Sequence, residues 1–178
     1  NLVTDGLPAL ALGVEGPEND VMLRPPRDPK APLVDWAMGR SILWVSLLIA
    51  GLSLFVGKHF FTGSVGTSVA SGHGHGGEVA VWQTMLFTTM VLAQLFLALA
   101  VRSSRDSLFR IGVFSNRPMI LALAVTLILH LGVLYVPFMQ VFFKTTALSL
   151  TQLGICVGGG LVVFLAVEGE KLLLRLRS

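Results

Sequence analysis

Cysteine occurs once in the 178-residue chain, at Cys156, so no disulfide framework can form within it. That cysteine stands in an apolar run, where an inert packed thiol is expected. Charge is scarce too: Asp, Glu, Lys and Arg make up 13% of the residues, against about a quarter in soluble domains. No Met opens the chain, and no basic stretch with a cleavage site begins it. A signal peptide is therefore unsupported, and a start inside a longer protein is expected. No repeat of 20–50 residues is evident. The net charge of +3 invites a nucleic-acid reading, but the basic residues are dispersed among short segments, which excludes a nucleic-acid partner. What remains is 53% apolar, with a mean hydropathy of +0.77. This is membrane composition.

Four runs are long enough to cross a hydrocarbon core about 30 Å thick. They cover residues 37–56, 79–101, 119–136 and 148–167. Arg40 interrupts the first and can snorkel to an interface beside Trp36 and Trp44. The second carries Gln83, Thr84, Thr88, Thr89 and Gln94, more polar than anchoring requires. His130 in the third is expected to be a packing residue, and Tyr135 an interfacial anchor. Gly158, Gly159 and Gly160 in the last are expected to permit close packing or a bend.

The connections differ in character. Residues 14–33 hold prolines at 17, 25, 26, 29 and 32 among charges, which precludes a regular helix and predicts an extended polar loop. Residues 57–78 are expected to form a loop; its His73 and His75 lie on a glycine tract and read as flexible linker rather than a dedicated metal site. Residues 102–118 form a short basic loop, and 137–147 a tight connection containing Lys144. Placing 14–40, 102–118 and 168–178 on the cytoplasmic side puts all but Lys58 and Lys144 of the 13 Lys and Arg there. The positive-inside rule thus orients the four spans, with the C-terminus cytoplasmic.

The first thirteen residues, NLVTDGLPALALG, are unlike the rest. Asn1, Thr4 and Asp5 share one face of a helical turn by their spacing, and three oxygen donors on one face suit a hard cation. Gly6 and Pro8 weaken the adjoining backbone ladder and can free carbonyls as further ligands. Such a broken helix is tolerated in a membrane where it lines a cavity or ion site. Asp5 to Gly13 is about 12 Å if helical, close to half the hydrocarbon thickness. An intramembrane carboxylate is by default a functional candidate. The competing reading of these residues is a surface loop and helix cap. Gln94, eight residues before Arg102, has the same estimated depth; its plainer reading is an interhelical hydrogen bond.

NLVTDGLPALALG closely resembles the sixth transmembrane helix of type II P-type cation ATPases, above all the calcium-pump branch. The order of later segments, with LYVPFMQVFF and ALSLTQ near the end, is similar to that family's last helices. The resemblance implies an all-α polytopic membrane helix bundle, one partial broken helix plus four full transmembrane helices. Residues 1–13 would be the C-terminal half of an ion-site helix, 14–33 a cytoplasmic loop and 34–178 a four-helix transmembrane region. It also implies that Asn1, Thr4, Asp5 and Gln94 are metal ligands for transported Ca²⁺, with no catalytic residue in this chain. ATP and Mg²⁺ would bind domains outside it, since the family's Asp-Lys-Thr-Gly-Thr phosphorylation motif is absent from these residues. The expected partners are the bilayer and the remaining helices and cytoplasmic domains of the same pump, and the expected location is the plasma membrane. A Ca²⁺/Mn²⁺ or other cation pump, and a noncatalytic remnant or membrane subunit, stay open as alternatives. Reticulum-type relatives carry glutamate where Gln94 stands and bind two Ca²⁺, whereas plasma-membrane and Golgi-like relatives carry glutamine and move one.

Overall fold

The computed structural model describes residues 2–16, 35–71, 76–103, 112 and 115–177. Asn1, the proline-rich segment from Pro17 onward, His73 and His75 lie outside these residues. Among those described, all regular structure is helical: α1 Leu2–Gly13, α2 Trp36–Ser71, α3 Gly76–Ala100, α4 Arg117–Tyr135, α5 Pro137–Phe143 and α6 Leu150–Arg177. Four stretches are long and apolar enough to cross a membrane: Met38–Phe60, Val81–Ala100, Arg117–Tyr135 and Leu150–Leu173. These match the four expected spans, the last running six residues further than the sequence suggested. The chain is an integral membrane protein.

The packing explains why a helix is the only economical state for these segments. Large apolar side chains such as Leu47, Leu54, Phe55, Leu121, Ile128 and Leu165 face outward and are exposed. The interior holds apolar side chains such as Met85, Val91, Met119 and Leu134 together with polar groups, including Ser53, Thr84, Thr88, Thr89, Thr126 and His130. The apolar exterior suits lipid, where apolar surface costs nothing outside and every backbone polar group must bond within its own segment. Two buried hydroxyls follow the same rule: Thr89 donates to Met85 O and Thr126 to Ala122 O, each at 2.8 Å. His130 Nε2 and Thr88 Oγ1 lie 3.3 Å apart, and the imidazole sits 5.2 Å from the Phe87 ring. His130 is thus a satisfied packing residue, as expected.

α3 is the central helix. Just over half of its span, 56%, is buried, against 22–33% for the other three. It packs most extensively on α6, then on α2, and also touches α1. Glycine permits the α3–α6 approach: a Cβ on Gly160 would fall 2.5 Å from Phe96 Cδ2 and 3.2 Å from the Leu92 carbonyl carbon. On Gly159 it would meet Thr89 Cγ2 at 3.2 Å and Leu52 at 3.3 Å. Gly158 has nothing within 4 Å. Close packing is therefore what the second and third glycines provide.

Two expectations need correction. Residues 57–71 and 76–78 are helical rather than loop, so α2 and α3 are longer than the apolar runs they contain. Glycine and polarity suggested a loop there, but the region holds no proline, and glycine weakens a helix by only about 1 kcal/mol per residue. α1 is also a single helix with Pro8 inside it, not a helix broken in its path. Pro8 lacks an N–H, so its effect is to leave the Thr4 carbonyl without the usual donor one turn ahead.

At the end of the bundle opposite Glu15, the connection from α4 to α6 is folded onto its neighbours. Tyr135 donates to Leu148 O at 2.9 Å and Thr145 to Val133 O at 2.7 Å. α5 ends at Lys144, whose φ of 53° is left-handed. Ser149 and Gln152 then form a reciprocal cap on α6: Ser149 N donates to Gln152 Oε1 at 2.9 Å, and Gln152 N to Ser149 Oγ at 3.3 Å.

Candidate cation site and the base of the bundle

α1 lies against α4 and α3. Its Leu7, Ala11 and Leu12 pack with Ala98 of α3 and with Met119, Ala122 and Leu123 of α4. At the base of this contact Arg102 grips Glu15 in a fork, Nε to Oε2 at 3.0 Å and Nη2 to Oε1 at 2.7 Å. Arg102 also donates to Ser115 Oγ at 2.6 Å and to Gly112 O at 3.3 Å. Asn116 completes the node. Its Nδ2 donates to Glu15 Oε2 at 2.7 Å and to Ala11 O at 3.1 Å, while its Oδ1 caps α4 by accepting from Met119 N at 2.8 Å. The Arg102 guanidinium holds the Glu15 carboxyl below its ordinary range of about 4.5, against the opposing effect of burial and with help from Asn116.

This base sets the relative height of the sequence-derived candidates. α1 and α3 both run toward the Glu15–Arg102 pair, so they are parallel. Gln94 stands eight residues before Arg102 and Leu7 eight before Glu15, which puts Gln94 level with Leu7. Asp5 is two residues further along α1, about 3 Å of helical rise away. Gln94 is half-buried, and Asp5 is exposed. Thr4 lies in the α1 backbone, and Asn1 is outside the described residues. Of the four candidates, Asp5 and Gln94 are described with their side chains and Thr4 by its backbone alone. Among the described residues, no group of three or more His, Cys, Asp or Glu is arranged to hold a metal. An oxygen site here rests on one carboxylate, one amide and backbone carbonyl, fewer than the six to eight oxygens Ca²⁺ takes.

A second set of polar contacts ties α6 to its neighbours at the same end. Lys171 donates to Ala100 O, the last residue of α3, and pairs with Glu168 at 2.9 Å. A cation on a helix C-terminus is favourable because the terminal carbonyls lack partners. Glu170 accepts from Trp44 Nε1 at 2.8 Å and Ser41 Oγ at 3.1 Å, holding α6 to α2. From sequence Glu15 and Asn116 belong to polar loops and Glu170 and Lys171 to a polar helix end, with no contacts assigned to them. One signal was available: Asn116 followed by Arg117 and Pro118 is a helix start, with a cap and then proline in the first turn.

Four spans and a shorter helix carrying Pro8 define the class: a polytopic membrane module. The family described as Cation transporting ATPase, C-terminus, matches residues 1–173, and the chain belongs to it. It is 33% identical over its full length to Calcium-transporting ATPase 1 of Yarrowia lipolytica, covering 18% of that protein. It is 34% identical over 97% of its length to Calcium-transporting ATPase type 2C member 2 of Rattus norvegicus, covering 17%. With the Calcium-transporting ATPase of Bacillus subtilis it shares 36% identity over 84% of its length, covering 15%. The chain thus spans less than a fifth of the length of these relatives.

Proposed function

We propose that this chain is the C-terminal membrane module of an ATP-driven Ca²⁺ pump that exports the ion from the cytoplasm. The observation that carries this reading is similarity to calcium-transporting ATPases along essentially the whole chain. Asn1, Thr4, Asp5 and Gln94 supply oxygen ligands to the transported Ca²⁺, and helices outside this chain supply the rest. Asp5 gives the negative charge that offsets dehydration of a divalent ion in a low-dielectric interior. Gln94 gives an oxygen without charge. The Thr4 carbonyl, deprived of its helical donor by Pro8, is a further oxygen available at the same level. ATP and Mg²⁺ act on domains outside these residues, where an aspartyl phosphate forms and alternates access to the site. The module sits in the plasma membrane with its C-terminus and the Glu15 end cytoplasmic, in contact with lipid and with the rest of the pump.

The test is Asp5→Asn in the complete pump. Ca²⁺-dependent phosphorylation from ATP is lost or requires on the order of a hundredfold more Ca²⁺, because a carboxylate ligand becomes an amide. Phosphorylation from inorganic phosphate, which needs no bound Ca²⁺, survives. Unchanged Ca²⁺ dependence in the variant would contradict the ligand role.

A further inference from the structure

Glu15 lies outside the proposed ligand set, yet it anchors the helix that carries most of it. Its two carboxylate oxygens receive hydrogen bonds from Arg102 and Asn116. Asn116 reaches past it to the Ala11 carbonyl, so the last turn of α1 is held through side chain and backbone together. The Arg102 side chain is only 1% exposed. A guanidinium that deep needs an anion beside it, and the Glu15 carboxylate supplies one. The fork geometry also restricts rotation, because two parallel N–H···O bonds fix both position and orientation.

The remainder of α1 is held differently. Its described contacts above the node, through Leu7, Ala11 and Leu12, are apolar and carry little directionality. Pro8 removes one rung of the helical ladder between the node and Asp5. α1 is thus fixed firmly at its foot and more adaptable where the candidate ligands stand.

We propose that Glu15 is a positioning residue for the cation site: through Arg102 and Asn116 it sets the tilt and rotation of α1, and so where Asp5 stands relative to Gln94. This inference rests on the Ca²⁺-pump reading above. Asp5 lies eight residues from the end of α1 at Gly13, about 12 Å of helix, so a tilt of about 10° at the foot moves Asp5 by roughly 2 Å. Ca²⁺–oxygen distances span only about 2.3–2.6 Å, so that displacement removes a ligand. A purely structural node would instead lower thermal stability or the yield of folded pump and leave Ca²⁺ affinity alone.

The experiment uses the complete pump with Glu15→Gln, Glu15→Asp and the Glu15→Gln/Arg102→Gln pair. It measures half-saturating Ca²⁺ for phosphorylation from ATP, and phosphorylation from inorganic phosphate in parallel. Glu15→Gln raises the half-saturating Ca²⁺ by roughly tenfold, the size of a modest coupling between the node and the site, because α1 is no longer held in the orientation that presents Asp5. Phosphorylation from inorganic phosphate is retained. Glu15→Asp recovers part of the affinity, and the double variant is no worse than Glu15→Gln because the two groups act as one. Wild-type half-saturation in Glu15→Gln overturns the proposal, as does an equal loss of both phosphorylation reactions. Absence of Ca²⁺ dependence in the unsubstituted pump overturns the Ca²⁺ reading itself, and this inference with it.

Discussion

Gly160→Ala probes the contact on which the bundle depends, and its size can be worked from the geometry. The new methyl carbon would stand 2.5 Å from Phe96 Cδ2, 3.1 Å from Phe96 Cε2 and 3.2 Å from the Leu92 carbonyl carbon. Ordinary carbon contacts lie near 3.5–4.0 Å, so the Phe96 ring must move by about 1 Å. The neighbouring Phe164 ring, at a centroid distance of 6.3 Å, limits the directions in which it can move. The Leu92 backbone cannot yield without moving α3. Overpacking of this kind costs about 1–3 kcal/mol. Gly158→Ala is the internal control: it makes the same chemical change two residues away, with nothing within 4 Å. It is expected to be neutral, or stabilising by up to about 1 kcal/mol through helix propensity. Thermal unfolding of the complete pump in detergent, followed by loss of a monodisperse elution peak, ranks the two variants. Gly160→Ala falls well below wild type and Gly158→Ala does not. Phe96→Leu in the Gly160→Ala background restores part of the loss. Equal stability of the two alanine variants would refute a close α3–α6 seam at Gly160.

Two further outcomes concern the base. Asn116→Ala removes the α4 cap and the donor to Ala11 O and Glu15, and a cap alone is worth about 1–2 kcal/mol, so the same elution assay gives a lower midpoint. Glu15 has a native pKa below its unfolded value of 4.5, so its contribution to stability is complete above pH 4.5 and declines as pH falls through the native value. The difference in unfolding midpoint between wild type and Glu15→Gln therefore holds steady near neutrality and shrinks in that acid window. A difference that grows on acidification would contradict the Glu15–Arg102 pairing.

The four spans were legible because a bilayer imposes length and polarity on every crossing, and residues 37–56 and 119–136 meet both requirements without ambiguity. Helix ends were less so. Gly57 through Ser71 contains glycine and serine at a density that reads as loop, yet α2 continues because no residue there forbids it. The interior role of His130 followed from its isolation, and the approach at Gly159 and Gly160 from their place in an apolar run. Which of the three glycines makes contact depends on helix rotation, which no local pattern in the run encodes. The Glu15–Arg102–Asn116 node was invisible for a similar reason. Its members are distant in sequence, and each alone reads as an ordinary polar residue near a helix end. Asp5 and Gln94 were readable as candidates from polarity in apolar surroundings.

Equilibrium Ca²⁺ binding to the complete pump, normalised to its phosphorylatable sites, tests the cation-site reading most directly. In the proposed site Asp5 would bring a charge to the ion and Gln94 only an oxygen. Two divalent ions in neighbouring sites repel strongly unless each has anionic ligands nearby. The expected result is one Ca²⁺ per phosphorylatable enzyme with a Hill coefficient of about one, and loss of that binding in Asp5→Asn. Two tight, cooperative sites, or one site that survives Asp5→Asn with its affinity intact, would contradict it.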